Sequence, residues 1–160
     1  MKRVGVFVDV ANLYHCVSKK YKGKLDYVKY LDDIRTTIGG SLSVVKAFGG
    51  QVDKEAMPFI SFLQKVGFDV EYRKAKTFVQ DGIKQHKCDC DTMITMSIIR
   101  TMDSLDVIVL GSADSDFLPL IKYLTEKGKR VIVYGCMVSS DLDKYERLEI
   151  TASLLESHVK

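Results

Sequence analysis

VIVLGSADSDF, residues 107–117, is the stretch from which the fold is read. Val107, Ile108, Val109 and Leu110 form an unbroken apolar run, the pattern of a strand covered on both faces of a sheet. The run ends at Gly111–Ser112, and Asp114 and Asp116 follow at once. VGVFVD (4–9) repeats the arrangement, with an apolar run closed by Asp9. KCDCD (87–91) sets Asp91 at the front of a helical pattern in which Met93, Ile94, Ile98 and Met102 share a face. Acids gathered at the ends of neighbouring strands repel one another, so a fold that collects them calls for a cation. Oxygen donors without thiolate or imidazole suit Mg²⁺ or Mn²⁺, and such sites commonly handle phosphate.

Around these runs the chain alternates strand and helix. Strands are expected at Arg3–Asp9, 42–48, 68–73, 106–111 and 130–134, and helices at 11–21, Tyr27–Ile38, 53–66, 91–102 and 114–127. Gly39–Gly40, Gly67 and Gly128 mark helix ends, and Gly49–Gly50 reads as a turn before an Asp53 N-cap. Pro58 argues for a late start or a kink in the third helix. Residues 74–87 show no clear period and read as a long basic loop, while Ser139 or Ser140 opens a last, interrupted helix. The pattern predicts one α/β domain over residues 1–160, with a mainly parallel five-stranded sheet and helices on both faces. Its ligand crevice lies beyond the carboxyl ends of the strands, where Asp9, Asp114 and Asp116 fall.

Composition narrows the possible functions. A 46% hydrophobic and 28% charged content is that of a folded soluble protein, and excludes a disordered chain. The net charge of +3 does not by itself mark a nucleic-acid binder. Lysines cluster at 19, 20, 22 and 24, and basic residues at Arg73, Lys74, Lys76, Lys84 and Lys87, where solvated faces are the plainer reading. No apolar run approaches the ~20 residues of a membrane span, and the N-terminal run is too short for a signal peptide, so a cytoplasmic location is expected. The four cysteines are then reduced. His86, Cys88 and Cys90 alternate without the spacing of a zinc knuckle.

Each acid alone also fits a commonplace role. Asp9 suits a turn, and Asp114 and Asp116 suit an N-cap and first helical turn, with Ser112 sharing the capping. Asp89 or Asp91 caps the helix that follows, and Asn12 caps a helix or holds Asp9 in place. Lys87 positions a phosphate or a metal-bound water, or is merely solvated, and Tyr14 offers a face to a base if it lines the cleft.

FVDVANLY (7–14) resembles the FVDxxNLY opening of the NYN-domain family, the LabA-like branch of the PIN-like nucleases. KCDCD resembles its KGDWD-type segment and SADSDF (112–117) its SGDSDF motif, in the family's order and at similar intervals. The resemblance implies a Rossmann-like PIN-type fold, metal-binding acids at Asp9, Asp91, Asp114 and Asp116 with Asn12 beside them, and RNA as the partner. Ser97 stands where the family often has another acid, and Ala113 replaces the motif's glycine, so that backbone position needs no positive φ.

The expected function is a metal-dependent endoribonuclease using Mg²⁺ or Mn²⁺, with Asp89 and Lys87 in support and the basic segment contacting the phosphate backbone. Two alternatives remain. A haloacid-dehalogenase-like phosphatase would need a DxD start, but Ala11 occupies its second acid position. A non-catalytic RNA- or protein-binding module with a residual acidic cleft would retain the acids without turnover. Homo-oligomerisation stays open.

Overall fold

The computed structural model describes residues 1–51, 57–74, 76–80, 82–87 and 90–157. At its centre lies β1 (Arg3–Asp9), paired in parallel with β2 (Ser41–Gln51) on one side and with β6 (Val107–Gly111) on the other. β3 (Asp69–Lys74) extends the sheet beyond β2, and β7 (Arg130–Gly135) and β8 (Arg147–Glu149) extend it beyond β6. All five pairings are parallel, giving the order β3-β2-β1-β6-β7-β8. The order reverses between β1 and β6. In an open doubly wound sheet that reversal opens the ligand crevice, outside the carboxyl ends of the two strands.

Side-chain alternation along β1 separates two cores. Val4, Val6 and Val8 pack toward α1 (Val10–Tyr21), α2 (Tyr27–Ile38) and α3 (Met57–Val66). Phe7 points the other way, toward α4 (Asp91–Thr101) and α5 (Leu118–Glu126). Every residue of β1 from Val4 to Asp9 is buried, as the unbroken apolar run requires of a central strand. The expected α/β architecture is therefore present, with helices on both faces.

Four readings of the sequence are corrected. The sheet has six strands rather than five, because the last expected helix is a short 3₁₀ turn at Ser140–Leu142 followed by β8. β8 is fixed by tertiary partners: Glu146, just before it, receives two hydrogen bonds from Arg130 of β7, at 2.9 and 2.7 Å. The supposed basic loop contains an antiparallel hairpin, β4 (Lys76–Gln80) and β5 (Ile83–Lys87), separate from the main sheet. Gly49–Gly50 makes no turn, since both residues pair with β3 inside β2. A Cβ on Gly49 would stand 2.7 Å from the Tyr72 ring, so glycine there admits an aromatic residue rather than a bend.

The fifth expected helix also starts differently, as a 3₁₀ turn at Ser115–Phe117 ahead of α5. Pro119 stands in the first turn of α5, where a missing N–H costs nothing. Pro58 is the second described residue of α3. The Asp53 cap lies outside the described residues.

Candidate metal centre

The loop after β6 is tied at both ends. Asn12, in the first turn of α1, accepts a hydrogen bond from the Ala113 N–H at 2.9 Å. Ser112, almost wholly buried, accepts from the Asp114 N–H at 3.2 Å, and the Ala113 carbonyl accepts from the Ser139 N–H at 3.3 Å. Gly135 lets this loop sit against β7: a Cβ there would meet the Ser112 carbonyl oxygen at 2.9 Å. Ala113 is not among the residues of positive φ, in line with its replacement of a glycine.

The loop presents two acids. Asp114 caps the 3₁₀ turn, its Oδ1 accepting from the Asp116 N–H at 2.9 Å. Capping occupies one carboxylate oxygen and leaves acceptor capacity for a cation. Asp91 arrives as the first residue of α4, which packs in the same core as Phe117 and α5. It is not the cap of that helix, since the N-cap is Cys90, which makes no side-chain capping bond.

These three residues converge. One carboxylate oxygen from each of Asp91, Asp114 and Asp116 lies within 4.8 Å of the others, with Asp91 and Asp114 partly buried and Asp116 exposed. No lysine or arginine among the described residues forms an ion pair with Asp114 or Asp116. Three hard oxygen donors at this spacing, without sulfur or imidazole, match the donor set of Mg²⁺ or Mn²⁺.

Asp9 is not a member of that close group. It ends β1, is 7% exposed, and caps α1 by accepting from the Asn12 N–H at 3.2 Å. It still belongs to the same field: after burial itself, the Asp9 charge and then that of Asp114 push the Cys16 thiol up. Asn12 thus faces two ways, its N–H to Asp9 and its side-chain oxygen to Ala113. The sequence pointed to Asn12 as a cap or a partner of Asp9, and the resemblance placed it beside the acids. Its bond to Ala113 joins residues 101 positions apart, and no local signal announces such a contact.

Of the other expected residues, Arg73 and Lys74 end β3, Lys76 opens β4, and Lys84 and Lys87 lie on β5, whose end leads toward Asp91. Asp89 lies outside the described residues. Ser97, where the resemblance implies an acid, is buried in α4 and its Oγ has no hydrogen-bond partner among the described residues.

A doubly wound parallel sheet with clustered carboxylates at its switch point defines an α/β protein built around an acidic crevice. Residues 3–150 match the model of the NYN domain, and the chain belongs to that family, part of the PIN-like nuclease superfamily. No curated protein matches the chain. Among solved structures, a protein of unknown function from Vibrio parahaemolyticus is similar, with 26% sequence identity and a TM-score of 0.78 over 97% of this chain and 96% of that one. No described helix is long and apolar enough to cross a membrane.

Proposed function

We propose that this protein is a metal-dependent endoribonuclease that hydrolyses phosphodiester bonds of RNA. The observation that carries this reading is the meeting of Asp91, Asp114 and Asp116 within 4.8 Å at the crevice of a nuclease-superfamily fold. When bound there, Mg²⁺ or Mn²⁺ supplies the Lewis acidity that activates a water and offsets charge on the leaving oxygen. Asp91 and Asp114, partly buried, hold the ion, and the more exposed Asp116 closes the group on its solvent side. Asp9 adds negative charge from the end of β1 and fixes the start of α1. Asn12 and Ser112 keep the Asp114 backbone in place through Ala113 and the Asp114 N–H.

Arg73, Lys74, Lys76, Lys84 and Lys87 are carried on the chain segment that leads into Asp91. In this reading they contact the phosphates of a single strand, orienting it without selecting its sequence. The test is RNA cleavage with Mg²⁺ or Mn²⁺ by the wild type, Asp91→Asn, Asp114→Asn and Asp116→Asn. Cleavage is expected in the wild type alone, because ligands acting as a unit fail together. A wild type that binds RNA without cutting it, at any concentration of either metal, would sink the reading in favour of a binding module.

A further inference from the structure

At the same edge of the sheet as the acidic group, on the face covered by α1, α2 and α3, lies a cavity of about 450 Å³. Tyr14, His15, Tyr27, Phe59 and Tyr72 line it, with Lys24 at its margin. The cavity also reaches Val10, the residue after Asp9, and Gly50 near the end of β2. Neighbouring strands are about 5 Å apart, so the ends of β2 and β6 are separated by only about 10 Å.

The tyrosines give the cavity its chemistry. A buried phenol ordinarily finds a hydrogen-bond partner. Tyr21 donates to the Ile150 carbonyl at 2.9 Å, Tyr30 to the Tyr134 carbonyl at 3.1 Å, and Tyr134 to Asp33. The hydroxyls of Tyr27, 4% exposed, and of half-buried Tyr72 make no hydrogen bond among the described residues. Both side chains line this one cavity. Tyr14 is 56% exposed and Phe59 37% exposed, so two aromatic residues stand partly open to a ligand.

We infer that this cavity receives one unstacked nucleobase of single-stranded RNA, placing the adjoining phosphate at Asp91, Asp114 and Asp116. Aromatic faces at Tyr14 and Phe59 take the ring, a contact that every base can make. The Tyr27 and Tyr72 hydroxyls pair with polar atoms on the base edge, which an apolar ligand would leave unsatisfied. Lys24, with Lys22 on the adjoining surface, offers positive charge to the phosphate on the far side of that base. Duplex RNA has no flipped base to insert, so the cavity favours single strands, loops and ends.

This inference rests on the nuclease reading for its substrate, and the experiment separates the two. Binding of a short single-stranded RNA, intact or carrying one abasic position in turn along its length, is measured in EDTA for the wild type, Tyr14→Ala and Tyr27→Phe. Cleavage by the same proteins is measured with Mn²⁺. One abasic position is expected to weaken wild-type binding about tenfold, in the range of one lost base stack. That position should cost little further in Tyr14→Ala, and Tyr27→Phe, which keeps its ring, should bind several-fold more weakly than the wild type. Equal binding of intact and abasic strands, unchanged affinity in both variants, or no RNA binding at all overturns the cavity assignment. Wild-type cleavage alongside equal binding would fault the cavity alone. Cavity-dependent binding without cleavage would uphold it and fault the nuclease reading alone.

Discussion

Asn12 shows how little separates a cap from a site at the scale of one residue. Its side-chain oxygen takes the Ala113 N–H at 2.9 Å, and three residues later the chain delivers Asp116 to the acidic group, its N–H held by Asp114. Asn12→Ala leaves that N–H without its acceptor, at a cost of about 1 kcal/mol for a partly buried donor. A domain of this size should then melt about 2–4 °C lower. Cleavage should fall through kcat more than through KM, because the loop that carries two acids drifts while distant contacts with RNA remain. Asn12→Asp retains an acceptor oxygen and should recover the melting temperature, though it adds charge beside the acids. An Asn12→Ala variant with wild-type melting and kcat would mean that Ser112 and Ser139 suffice to hold the loop.

The elements divide by where their information lies. β1, α2 and β6 were legible because each carries its own period: a continuous apolar run for a central strand, and Val28, Leu31, Ile34 and Ile38 at helical spacing, although the buried face is Tyr27, Tyr30, Leu31 and Ile34 and Val28 is exposed. Asp91, Asp114 and Asp116 were legible for the same reason, since strand and helix ends set their places. β8 was not, because three residues cannot show a period and its position depends on β7 and the Arg130–Glu146 pair. Gly49–Gly50 misled because a glycine pair signals a turn unless one knows that Tyr72 packs across it. The β4–β5 hairpin did carry a signal in Asp81–Gly82, the two residues between Gln80 and Ile83, flanked by strand-forming Phe78, Val79 and Ile83. This hairpin has a functional test. Neutralising Lys76, Lys84 and Lys87 together should weaken RNA binding and flatten its dependence on salt. Each lost phosphate contact removes about 0.7 from the logarithmic slope on a single strand. An unchanged slope would move the nucleic acid away from the hairpin.

Over the whole molecule, two groups of side chains set how stability responds to conditions. Burial first, and then neighbouring tyrosines and acids, raise the phenols of Tyr27, Tyr30 and Tyr134, while burial and then Cys90 push Tyr72 up to about 12. The unfolded chain ionises these groups near pH 10 and the folded chain higher. Their contribution is therefore full below pH 10 and is lost as the pH rises through 12. Melting temperature should fall as the pH rises from about 10 toward about 12, less steeply in Tyr72→Phe, and a flat profile would show that the phenols ionise within the fold. The acids act in the other direction. Within 4.8 Å of each other, two carboxylates repel by roughly 1 kcal/mol in a water-like dielectric, so the metal-free protein carries repulsion at its crevice. Mn²⁺ at one hundred times its dissociation constant should add about 2.7 kcal/mol, which is about 5–10 °C of melting temperature. Asp114→Asn is the informative variant, because asparagine caps a helix as well as aspartate does. With the cap retained and one charge removed, it should melt above the wild type in EDTA and gain less from Mn²⁺. If Asp114 served only the 3₁₀ turn, loss of its charge would leave stability unchanged or slightly lower, and Mn²⁺ would shift both proteins equally. Melts of the two proteins in EDTA and in Mn²⁺ decide between these outcomes without any RNA, and a wild type indifferent to Mn²⁺ would remove the cation from the crevice.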